Sequence, residues 1–132
     1  MLKRLLLSGL LILIAWTVID VLMHRLLLRD MYEENAGLWR PFDQLNVVLI
    51  YIVTFTLIAI FIGSYRLLVR PKSLGMGLGL GAFIGLALGI ASGLGTYIHM
   101  PIPLPLALGW FFGGWLKGIA AGAIVGALIK GA

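Results

Sequence analysis

Residues 74–97 read LGMGLGLGAFIGLALGIASGLGTY. The stretch carries no charged side chain, and at about 1.5 Å of rise per residue a helix of this length crosses the roughly 30 Å hydrocarbon core of a bilayer. Gly77, Gly81, Gly85, Gly89 and Gly93 recur at every fourth position, so on a helix they share one face. In water such a run of glycine weakens a helix. In lipid, where apolar surface drives no association, a row without side chains lets two backbones approach closely enough for dispersion to hold them. The stretch therefore reads as a membrane-spanning helix with a smooth face that needs a partner. That partner is written further along as Gly114, Gly118, Gly122 and Gly126. The two glycine rows predict a glycine-zipper pairing of the third and fourth helices.

The rest of the chain is of the same kind. Of 132 residues, 61% are hydrophobic and 11% charged, with a mean hydropathy of +1.09, too little polar surface to cover a water-soluble globule. Four apolar runs at about 5–28, 45–65, 74–97 and 106–129 consume nearly the whole length. The expectation is a single domain over 1–132, an all-α integral membrane protein built as a four-transmembrane-helix bundle. The first run follows Lys3 and Arg4 as a secretory leader would, but Trp16-Thr17-Val18-Ile19-Asp20 supplies no small-residue cleavage pattern after Ala15, so it reads as a retained helix. Its helix is expected to continue past the membrane toward Trp39 until Asn35-Ala36-Gly37 stops it. Asp43 is the expected N-cap of the second span, and the prolines at 101, 103 and 105 predict an extended turn between spans three and four.

Charge gives the sidedness. Lys3, Arg4, Arg66, Arg70, Lys72 and Lys130 fall at one end of the predicted bundle, whereas Arg25, Arg29 and Arg40 at the other are mixed with Asp30, Glu33, Glu34 and Asp43. The excess of Lys and Arg places both termini in the cytoplasm. Tyr32, Trp39, Tyr97, Trp110 and Trp115 then fall toward the outer half, and Tyr65 at the inner interface. The net charge of +5 marks topology and not a nucleic-acid partner.

Two ionisable residues stand inside the apolar runs. Asp20 lies about 10 Å and Lys117 about 18 Å from the outer boundary by helical rise, and a lysine stem spans much of that difference. A charge at membrane depth is costly unless paired, so an Asp20–Lys117 pair across helices one and four is the economical arrangement. It serves either as a packing clamp or as a proton or ion relay. His24 shares a helix face with Asp20, and His99 with Met100 ends the third helix at the same level. An alternative reading therefore gives His24, His99, Met100 and Asp20 to a haem or transition metal, for electron transfer or sensing.

Other chemistries are excluded by what the chain lacks. There is no cysteine, hence no disulfide, thiolate site or thiol nucleophile. Gly75 to Gly81 lacks the lysine and hydroxyl ending of a phosphate loop. Ser8, Ser73 and Ser92 show no histidine–carboxylate partnership along the sequence. The sequence thus predicts a non-enzymatic protein, transporter-like or a subunit of a membrane complex, with a polar centre in the outer half. Its partners are lipid and other transmembrane helices, as a homo-oligomer or within a larger complex.

Overall fold

The computed structural model describes residues 1–131, apart from the side chain of Phe42. Four helices are long and apolar enough to cross a membrane: α1 (Leu2–Leu27), α3 (Val47–Leu68), α4 (Leu74–His99) and α5 (Leu104–Leu128), with the short α2 (Arg29–Glu34) between the first two. Among the described residues there is no strand. The architecture is that of a multi-pass membrane protein. The long helices alternate in direction, so the start of α1, the end of α3, the start of α4 and the end of α5 share one end of the bundle, the termini end. The proline-rich α4–α5 connection and α2 lie at the other.

The α4–α5 hairpin is the tightest packing in the molecule. A Cβ built on Gly85 would fall 2.8 Å from the Trp115 carbonyl oxygen, and one on Gly77 would fall 2.7 Å from the Gly126 Cα. Gly81 faces Gly118 and Gly122 in the same way, while Gly89 and Gly93 face the backbone of Phe111 and Ala107. Any side chain on these positions would have to push backbone aside, which a packed helix pair cannot do cheaply. Trp115 adds a cross-helix bond, its Nε1 donating to the Ala82 carbonyl at 3.1 Å.

α1 packs on α5 and α3, and scarcely touches α4. Two apolar clusters hold these helices. The larger lies toward the termini end and joins Ile12, Trp16, Ile58, Phe61, Tyr65, Val69, Ala121, Val125 and Ile129, with Leu80 and Ile84 of α4 packed against it. The smaller lies at the connection end and joins Leu28, Ile102, Leu106 and Ala107. Between the two, α1 and α4 leave a groove floored by α5.

Several local expectations are corrected. The N-cap of α3 is Asn46, whose side chain accepts from the Leu49 N–H at 3.0 Å, and not Asp43, which sits in a separate helical turn, Phe42–Gln44. The first helix does not run on unbroken. It turns at Leu28 (φ −100°, ψ 1°) because that side chain is drawn into the smaller cluster, where it occupies the space a Cβ on Gly109 would need. α5 begins at Leu104, inside the proline segment, with Pro103 as N-cap and Pro105 in the first turn, where a missing N–H costs nothing. Tyr65 is fully buried, its hydroxyl donating to the Ser73 carbonyl at 3.1 Å, so it ties α3 to α4 from within. Ser73 caps α4 by accepting from the Met76 N–H, and the Lys72 ammonium caps α3 by donating to the carbonyls of Arg66 and Val69 at 2.9 and 2.8 Å.

Candidate functional site

The groove contains a cavity of about 290 Å³ lined by Asp20, Met23 and His24 of α1, Tyr32 of α2, Ser92 of α4, and Gly109, Trp110, Gly113, Gly114 and Lys117 of α5. The α5 members follow from helical spacing, since 109, 113 and 117 are four apart and 110 and 114 lie beside them. This stripe adjoins, on the same helix, the glycine row turned toward α4. Gly113 keeps the floor open, because a Cβ there would meet only Met23 side-chain atoms at 3.4 and 3.5 Å.

At the deep end, the Lys117 ammonium donates to both carboxylate oxygens of Asp20, at 3.0 and 3.1 Å. The Trp16 indole holds the lysine from below. Its Nε1 donates to the Lys117 carbonyl at 2.9 Å and its ring lies 5.0 Å from the ammonium, within range of a cation–π contact. The pair is not sealed: the side chains of Lys117 and Asp20 remain 27% and 44% exposed.

At the shallow end, the Trp110 Nε1–H donates to the Tyr32 hydroxyl oxygen at 2.5 Å, and that oxygen lies 2.6 Å from His24 Nδ1. With the indole hydrogen received, the phenol still has its own hydrogen to donate to Nδ1, and in the tautomer that accepts it the imidazole proton is on Nε2. Nε2 faces Asp20 Oδ1 at 3.8 Å, too far for a hydrogen bond. Burial is the main cause pushing the Tyr32 hydroxyl above its ordinary value of 10.0; the Trp110 bond opposes the shift and the Asp20 charge adds to it. Tyr32 is therefore a neutral donor at physiological pH. Trp39 packs edge-on against Tyr32 and Trp110, with ring centroids 5.3 and 5.6 Å away, and completes an aromatic roof.

The helices bend the rules of regular geometry where they meet this cavity. Val21–Leu27 of α1 and Ile90–Leu94 of α4 are wound as wider π-helical turns. The first carries Met23 and His24 and directly follows Asp20, and the second carries Ser92. Such segments are rare and concentrate at functional sites. The hydroxyl groups of Ser8, Thr17, Thr54, Thr56 and Ser64 bond back to their own helices, whereas no such bond is found for the Ser92 hydroxyl.

His99 stands exposed at the end of α4 and is outside the ring of residues lining the cavity. Met100 packs against the Leu28 and Ile102 cluster. Among the described residues, no group of three His, Cys, Asp or Glu side chains is placed to hold a metal ion. Spacing along the chain did not point to Tyr32, Ser92 or Trp110 as cavity residues. Trp110 was discoverable, lying seven residues before Lys117 on one helix face; the roles of Tyr32 and Ser92 depend on the turn at Leu28 and on the π-helical segment, for which the sequence carries no periodic signal. Comparison with protein-family models, with curated proteins and with solved structures finds no match to this chain.

Proposed function

We propose that this chain is a non-enzymatic, transporter-like membrane protein whose polar groove in the outer half of the bundle binds a small polar ligand beside a charged centre formed by Asp20 and Lys117. The termini lie in the cytoplasm on this reading, because the basic residues Lys3, Arg4, Arg66, Arg70, Lys72 and Lys130 belong to the termini end. The glycine rows act as a zipper that makes α4 and α5 one rigid unit, to which α1 is tied by the Trp16 hydrogen bond and the Asp20–Lys117 pair. Further copies of the chain cover part of the exposed apolar surface.

The observation that carries the reading is convergence. Side chains from α1, α2, α4 and α5, two of these helices through π-helical turns, meet at one cavity. A charge pair set only to clamp helices would be sealed by its neighbours, since exposure at membrane depth is costly. Here both partners stay open to the cavity, which suits a centre that exchanges protons or ligand. The order Lys117, Asp20, His24, Tyr32, Trp110 supplies a series of polar groups from the deep end of the cavity to its roof, hydrogen-bonded except across the 3.8 Å between Asp20 and His24.

The test is proton flux into liposomes that contain the full chain and a trapped pH-sensitive dye. The reading expects flux above that of empty liposomes, lost in Asp20→Asn while helical content and oligomer size stay the same. If Asp20→Ala and Lys117→Ala leave folding, oligomer size and flux unchanged, the reading fails.

A further inference from the structure

The charges in the groove define what can enter it. The Asp20–Lys117 pair is neutral as a whole. A simple cation on the free acceptor sites of Asp20, or a simple anion on the free N–H of Lys117, would bring one uncompensated charge to membrane depth. A ligand carrying both signs leaves no charge stranded. After the contacts with Lys117, the Asp20 carboxylate keeps acceptor sites and the lysine keeps a third N–H. Beside them, His24 Nε2–H has no acceptor at hydrogen-bond distance, and the Ser92 hydroxyl has no bonded partner. The free valences are thus acceptors at Asp20 and donors at Lys117, His24 and Ser92, all opening on one cavity.

We propose, on the reading of this groove as a ligand site, that its ligand is a zwitterion in which a primary ammonium lies a few ångströms from an acidic group. The ammonium donates to Asp20, and the acidic group accepts from His24 Nε2–H, Ser92 and the third N–H of Lys117. Charge-assisted bonds of this kind are about twice as strong as neutral ones, which favours a zwitterion over a sugar or alcohol of equal size. The cavity, about 290 Å³, is at the small end of ligand pockets and suits a headgroup-sized molecule. Its aromatic roof of Tyr32 and Trp110 and the apolar Met23 suit the short carbon link between the two charges. A membrane supplies this chemistry as the phosphoethanolamine headgroup of a lipid, and an aqueous phase supplies it as a free amino acid or phosphoethanolamine.

The experiment is native mass spectrometry of the full chain in mild detergent, offered phosphatidylethanolamine, phosphatidylcholine or phosphatidylglycerol in turn. Phosphatidylcholine has both charges but no N–H on its ammonium, and phosphatidylglycerol has only the anion. The expected result is phosphatidylethanolamine retained about tenfold over either. That preference is lost in the double variant Asp20→Asn, Lys117→Gln, which keeps a hydrogen-bonded pair without charge. Ser92→Leu, a change at an exposed position with no bonded partner, provides a second variant and loses the preference by filling the cavity. Free phosphoethanolamine then distinguishes the sources. Displacement of the lipid assigns the site to soluble zwitterions, and failure to displace it assigns the site to membrane lipid. Equal retention of the three lipids with no binding of free phosphoethanolamine overturns the proposal, as does undiminished preference in a folded double variant or in Ser92→Leu. Proton flux that requires Asp20, without zwitterion preference, would overturn this inference alone. Preference without flux would overturn the transport reading alone.

Discussion

The Lys117 ammonium lies 3.0 and 3.1 Å from the two carboxylate oxygens of Asp20, across 97 residues of chain, and it joins α1 to the α4–α5 hairpin at the level of the groove. The backbone beneath the same lysine is bound by Trp16. Removing one charge strands the other, and removing both does not.

Asp20→Asn and Lys117→Gln are each expected to destabilise the protein by about 2–3 kcal/mol, the scale of an unpaired charge at membrane depth. The double variant should recover much of that loss. Unfolding by denaturing detergent, followed by circular dichroism, measures all three; strict additivity of the single losses would show that the two residues do not act as a pair.

Glycines on the two sides of α4 should respond oppositely to alanine. At Gly81 a Cβ meets the Gly118 carbonyl carbon at 2.9 Å and the Gly122 Cα at 3.0 Å, whereas at Gly79 nothing lies within 4 Å. Gly81→Ala is expected to cost about 1–3 kcal/mol through overpacking. Gly79→Ala should be neutral or gain up to about 1 kcal/mol from helix propensity. Thermal melts in one detergent compare the two, and equal effects would contradict the close approach of α4 and α5.

Tyr32 gives the protein an alkaline dependence whose sign follows from burial. Its hydroxyl titrates higher in the folded chain than the ordinary 10.0, so the unfolded chain releases the proton first as pH rises. The contribution is whole below about pH 10 and is lost as pH climbs from there through the raised folded value. Tyr32→Phe should remove this component of the alkaline decline, and it also breaks the link between Trp110 and His24. Melting temperature against pH from 7 to 11, for both proteins, is the measurement.

Ser73 begins α4 by accepting from the Met76 N–H at 3.1 Å. Ser73→Ala should lower stability by about 1 kcal/mol, and Ser73→Asp should retain most of it, as expected for an N-cap. A thermal melt that leaves Ser73→Ala unchanged would remove the cap from the account.

The sequence by itself determined the solvent and the elements. Four long apolar runs with charges between them leave only helices that bury their own backbone hydrogen bonds in lipid, and the spacing of Gly77 to Gly93 marks the face of α4 that wants another backbone. It also set Asp20 and Lys117 within the apolar runs, because position along a helix is a count of residues. Tertiary structure alone decided what surrounds them. The distance between Asp20 and Lys117 depends on which helices are neighbours, a property absent from any one helix. Tyr32 reaches His24 only because Leu28 turns the chain into a pocket beside Gly109, a packing event between residues about 80 positions apart. The widened turns that carry His24 and Ser92 are likewise departures from regular geometry. Periodicity reports the regular part of a helix, and the groove is built where α1 and α4 leave it.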